Sequence, residues 1–122
     1  MKLSPLLSFL DQLKVLHWQT FSYSEHKALG KSYDKIGELI DTFVETYYGK
    51  YGKEYLAINY NFSIDGYSEG LDVKKLVATR KRELMHYLRT DLLTPADNDL
   101  KNIVDSIEAE VNHLQYFLDL KQ

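Results

Sequence analysis

The sequence predicts an all-α four-helix bundle, and three observations carry that prediction. Apolar residues recur at helical spacing in four separate segments. The segments are set off by Ser, Thr, Asp, Pro and Gly at positions that start or stop helices. Residues 53–70 are the one long interruption, so the bundle has a longer connection between helices 2 and 3.

The first helix opens with Ser4 as N-cap and Pro5 at the first helical position, because proline's missing N–H costs nothing there. Its stripe is Leu6, Leu10 and Leu13, continuing to position 17, with an end near Phe21 and Ser22. The second helix begins near Ser24, its expected cap, and runs to about Tyr48. Its stripe is Leu29, Tyr33, Ile36, Ile40, Phe43 and Tyr47, with Gly49 and Gly52 as the stop. Turn formers Asn59, Asn61, Asp65, Gly66 and Gly70 then alternate with aromatic and aliphatic residues. The alternation from Leu56 to Ile64 would suit a strand, but a lone strand has no partner here. An ordered connection packed by its aromatics is expected instead, with room for one helical turn. The third helix is expected over Asp72 to Arg89, on Val73, Val77, Leu84 and Leu88. Thr94–Pro95 starts the fourth, on Leu100, Ile103, Ile107, Val111, Leu114 and Leu118.

A length of 122 residues suits one domain, residues 1–122, whose modest core oligomerisation would supplement. The net charge of −3 argues against broad nucleic-acid or membrane binding. With no cysteine, disulfides and thiolate metal sites are excluded, so any metal must be held by His, Asp and Glu. No apolar run approaches the roughly 20 residues of a membrane span. The opening residues lack a secretory layout, and a cytoplasmic location is the default expectation. The ten tyrosines suit helix packing and subunit contacts.

His17 is the first candidate for chemistry, since it falls on the first helix's apolar stripe. A lone inward histidine is more often a hydrogen-bonded core residue than a ligand. On the second helix, His26, Asp34, Asp41 and Glu45 lie within an arc of about 100°. Asp41 and Glu45 are one turn apart, so both carboxylates can reach one ion. Asp34 and Glu38 are better read as a solvated face. For Asp41 and Glu45 the same sequence fits a metal pair or a solvated acidic face. His26 and Asp41 are about 22 Å apart along a straight helix, so they cannot share an ion within one chain. Histidines and carboxylates that cooperate must therefore come from two subunits, and metal chemistry implies a homo-oligomer of at least two copies.

The stretch from Leu16 to Glu45 resembles the Dps mini-ferritins of the ferritin-like superfamily. The likeness rests on the His17–Trp18 pair late in the first helix, His26 opening the second, Asp41 fifteen residues on, and Glu45 four further. The resemblance implies a ferritin-like four-helix bundle with iron sites between two-fold-related subunits. His17 and His26 would come from one chain and Asp41 and Glu45 from the other, as ligands of one or two iron ions. It implies oxidation of Fe(II) by peroxide or oxygen, with storage in a hollow shell, a dodecamer in that family. Hard Fe(II) accepts such mixed imidazole and carboxylate ligands. This sequence departs from the pattern in a shorter loop between the histidines, and in Gly30, where the family often has another acidic ligand.

Other readings compete. Glu83/His86 and Glu110/His113 have the Glu-x-x-His spacing of larger di-iron bundles, but a helical wheel turns Glu83 and His86 away from the third helix's stripe and His113 outward on the fourth. Arg80, Lys81 and Arg82 are the one candidate nucleic-acid patch, and successive helical positions point them in different directions, so a solvated surface is expected. The alternative function is a non-enzymatic structural or interaction bundle with a degenerate metal site, of the kind a viral protein could carry.

Overall fold

The computed structural model describes residues 1–53 and 59–120. They form four α-helices and no strand: α1 (Ser4–Gln19), α2 (Tyr23–Tyr51), α3 (Val73–His86) and α4 (Asn98–Asp119). A π-helical turn, Tyr87–Leu92, prolongs α3. The all-α expectation holds for these residues, and the boundaries need correction. Ser4 is already helical, and Leu3 precedes it without a side-chain cap. α2 is capped by Ser22 rather than Ser24, because the Ser22 hydroxyl accepts from the Glu25 N–H. It runs past Gly49 to Tyr51 and stops at Gly52, whose φ of +80° suits glycine and strains other residues. Asp72 is the N-cap of α3, accepting from the Lys75 N–H. α4 starts after the Thr94–Pro95 signal, at Asn98.

The core is one cluster to which every helix contributes. On α1 the buried stripe is Leu6, Phe9, Leu13 and Leu16. This is rotated from the expected one, leaving Leu10 and His17 half-buried at its flank. α2 buries Leu29, Ile36, Ile40 and Phe43, while α4 buries Leu100, Val104, Ile107, Val111 and Leu114. The π-turn has a packing reason. Its i→i+5 bonding, seen in Leu93 N–H to the Leu88 carbonyl, keeps residues five apart on one side. Leu88 and Leu93 are thus both buried.

α1 packs on α2 and α3, and α4 packs on the same two helices. Contacts between helix ends fix the directions. Lys2, before α1, bonds Tyr87 at the end of α3, while Lys74 at the start of α3 pairs with Asp119 at the end of α4. Lys50 at the end of α2 meets Asp97 before α4. Neighbouring helices are therefore antiparallel, and the 2–3 connection climbs back along α1. Gln12, buried in mid-α1, pins it with a two-armed amide clasp: its Nε2–H donates to the Asp65 carbonyl and its Oε1 accepts from the Asp65 N–H, both at 2.9 Å. Tyr67 N–H donates to Gln19 Oε1, and Arg80 donates to the Ser63 carbonyl and the Asp65 carboxylate. Side-chain amides thus supply the partners that a sheet would have given. Among the described residues of the connection the expected aromatic packing is minor, since Tyr60 and Phe62 are exposed and Tyr67 is the one aromatic packed against the core. Residues 59–70 contain neither strand nor helical turn; residues 56–58 of the Leu56–Ile64 alternation lie outside the described residues.

Candidate metal-binding face

His17 lies in the last turn of α1 and His26 in the first turn of α2, joined by a tight turn at Thr20, Phe21 and Ser22. The turn is built by its own side chains. Thr20 Oγ1 accepts from the Ser22 N–H and donates to Glu25, and Ser22 caps α2. This closure brings the imidazoles into a parallel stack, with centroids 3.9 Å apart and planes 13° from coplanar. The pair is clasped reciprocally: His17 Nδ1 lies 2.7 Å from the His26 carbonyl, and His26 Nδ1 lies 2.8 Å from the His17 carbonyl. A carbonyl can only accept, so each Nδ1 carries the hydrogen. In the neutral rings both Nε2 atoms then hold a lone pair, and neither has a protein partner among the described residues. Backbone orientation of one ring nitrogen is how proteins prepare the other as a metal ligand.

Gly30 makes room for this arrangement. A Cβ there would lie 2.6 Å from His17 Cε1 and 3.0 Å from its Nδ1. The space that a side chain at position 30 would take is thus occupied by the His17 ring. Aromatic surface surrounds the pair. Trp18, Phe21 and Tyr23 are 67%, 95% and 68% exposed, which is unusual for contiguous large apolar groups on a solitary chain. Lys14 sits over the Trp18 and Tyr33 rings.

Asp41 and Glu45 stand together further along α2, both exposed and in no ion pair among the described residues. They rim an apolar depression of about 220 Å³ lined by Leu3, Leu7, Leu10 and Val44. The structure therefore brings His17 to His26 and Asp41 to Glu45, and keeps the two pairs apart on one face. Among the described residues no three His, Asp or Glu side chains converge for an ion within one chain. Asp34 and Glu38 are solvated, as expected. Glu83 and His86 are exposed, and His86 reaches Asp91 at 3.6 Å. Glu110 is half-buried, and the exposed His113 ring packs on Phe117. In the basic cluster, Arg80 is spent on Ser63 and Asp65, Lys81 on Asn112 and Glu108, and Arg82 on Thr79.

Sequence reasoning missed the polar junction that fixes the α2–α4 end. The Asp97 carboxylate is buried, and accepts from Lys50 at 2.8 Å, from the Tyr51 hydroxyl, and from both the N–H and hydroxyl of Thr94. The Lys50 ammonium, then the Tyr51 and Thr94 donors, hold this carboxyl well below the usual carboxylate range. The Thr94-Pro-Ala-Asp97 spacing was the available signal, and it reads equally well as a plain helix start.

Fold and face together define an all-helical, four-helix protein with a paired-imidazole surface. The chain belongs to a family of unknown function, DUF5856, which it matches over residues 17–118, a span that contains His17, His26, Asp41 and Glu45. No curated protein and no solved structure gives a significant match. No helix among the described residues is long and apolar enough to cross a membrane.

Proposed function

We propose that this protein is a Dps-like, self-assembling iron-binding bundle whose metal site is completed by a second copy. The carrying observation is the reciprocal His17–His26 clasp, which orients two imidazoles and leaves both Nε2 lone pairs without protein partners. A two-fold axis across the α1–α2 face would set this pair against Asp41 and Glu45 of the other subunit, and the reverse contact would form by symmetry. Their separation along α2 requires such a partner, and the exposed Trp18, Phe21 and Tyr23 supply apolar surface for it. The antiparallel helices with a single long crossover support a ferritin-like reading. In that reading Fe(II) is the substrate. Asp41 and Glu45 supply anionic ligands and His17 and His26 neutral ones, and two Fe(II) with one peroxide and two protons yield two Fe(III) and two waters. Storage in a closed shell, up to a dodecamer, and a cytoplasmic location belong to the same proposal.

Gly30 favours a second reading, in which the bundle oligomerises without turning over metal, because an acidic ligand cannot stand where the His17 ring lies. Subunit mixing separates the two. His26→Ala and Asp41→Ala chains are each expected to assemble without oxidising Fe(II). Unfolded and refolded together, they should regain about a quarter of the wild-type sites, because only mixed pairs rebuild one. Failure of wild-type oligomer to bind or oxidise iron would leave the non-enzymatic reading standing. Iron oxidation by either variant alone would refute the shared site.

A further inference from the structure

α2 carries a second feature on its opposite edge, toward α4. There the two helices run antiparallel and enclose an open groove of about 400 Å³, from Ser24 and Leu120 at one end to Lys35 and Glu110 at the other. Its lining is mainly apolar, from Ala28, Phe117 and Leu120, with the His113 ring packed on Phe117 at 4.8 Å. The α2 wall is a row of lysines, Lys27, Lys31 and Lys35, one turn apart and all exposed. Lys31 and Lys35 form no ion pair among the described residues, unlike Lys50, Lys74 and Lys81 elsewhere on the molecule. Lys27 lies 5.6 Å over the Tyr23 ring. Glu110 is the one carboxylate in the lining, so the groove keeps an excess of positive charge.

These features specify a ligand. The groove has the size of a small-molecule site, which is typically apolar with a few placed polar groups. The lysine row extends over about 12 Å parallel to the helix axes, so the ligand is elongated rather than compact. Unpaired cations beside apolar lining ask for an anionic head on an apolar body, and snorkelling lysines serve both, since their stems cover the chain and their ammonium groups meet the head. We propose that this groove binds an alkyl carboxylate, its chain against Ala28, Phe117 and Leu120 and its head held by Lys31 with Lys27 or Lys35. The site is separate from the α1–α2 face and stands whether or not that face binds iron.

Dodecanoate below its micellar concentration is the probe, titrated into the purified full-length protein by calorimetry and by amide shifts. One saturable site per chain is expected, with shifts at Ala28, Lys31 and Phe117. Lys31→Gln/Lys35→Gln should weaken it roughly tenfold, the summed effect of two exposed charge contacts. Dodecanol should bind more weakly than dodecanoate by a similar factor, and should not respond to the lysine changes. Ala28→Trp, which fills the groove and keeps every charge, should abolish binding of both. Equal binding of acid and alcohol, shifts confined to other surfaces, or no saturation would each overturn the proposal. So would association with phosphatidylglycerol vesicles without uptake of free dodecanoate, which would assign the lysine row to a membrane surface.

Discussion

Gly30→Ala separates what the helix wants from what the histidine pair needs. In the interior of α2 the substitution should gain about 1 kcal/mol of helix propensity. The same methyl group would stand 2.6 Å from His17 Cε1, where ordinary contact begins near 3.4 Å. The ring must retreat, and the bond from His17 Nδ1 to the His26 carbonyl, now 2.7 Å, stretches or breaks. Losing one such neutral bond costs about 1 kcal/mol. The two effects nearly cancel, so unfolding free energy should change by less than about 1 kcal/mol. The chemistry at the ring does not cancel. Long-range proton–nitrogen spectra of the imidazoles at alkaline pH should show both wild-type rings with hydrogen on Nδ1. In the variant His17 should shift toward the Nε2–H form that free imidazole side chains prefer, withdrawing its lone pair from the surface. Unaltered Nδ1–H signals for both rings in Gly30→Ala would refute the argument that the clasp depends on space over Gly30.

Two further outcomes follow from the polar junctions. Asp97 has a folded pKa below its unfolded value, so its stabilisation is complete above about pH 4 and is lost as pH falls through the folded value. Asp97→Asn should lower the urea midpoint at neutral pH, and the gap from wild type should narrow only in strong acid; a gap that is constant from neutral to strongly acidic pH would contradict this. Gln12→Ala removes both arms of the clasp on Asp65, and should raise amide exchange at Asp65 and Tyr67 while that of the α4 core is unchanged.

The helices were legible because periodicity is local, and the Ile36–Ile40–Phe43 stripe of α2 needed no tertiary knowledge. The caps were less so, since Ser22 and not Ser24 caps α2 and Ser4 lies inside α1. The α1 stripe was misread by one position because Leu6–Phe9–Leu13–Leu16 and Leu6–Leu10–Leu13–His17 both keep helical spacing. Only packing against α2 and α3 chooses between them. The four candidate residues were legible as types and spacings, and the 15-residue step along α2 already forced the histidines and carboxylates apart. The clasp was not legible, because it joins ring nitrogens to carbonyls, and every residue has a carbonyl. Gly30 read as a missing ligand in the sequence, whereas in space it is the contact that admits His17. The 2–3 connection misled for a related reason: its aromatics suggested packing, and the holding groups are amides of Gln12 and Gln19 on another element.

A histidine pair that closes a turn through Nδ1 could be a structural latch and nothing more, and asparagine distinguishes the two roles. Its Nδ2 lies two bonds beyond Cβ, as imidazole Nδ1 does, so it offers a hydrogen at the same place and has no counterpart of Nε2. His17→Asn/His26→Asn should keep the donors to both carbonyls, and lower unfolding free energy by less than about 1 kcal/mol relative to wild type. His17→Ala/His26→Ala loses both donors as well, and should cost about 2 kcal/mol more than the asparagine pair, about 1 kcal/mol for each bond lost. If the clasp also serves metal, the asparagine chain should assemble normally and lose iron binding as completely as the alanine chain. Wild-type iron oxidation by the asparagine chain would leave the pair as a latch. Equal destabilisation by asparagine and alanine would instead remove the latch, since the donors to the two carbonyls would then contribute nothing measurable.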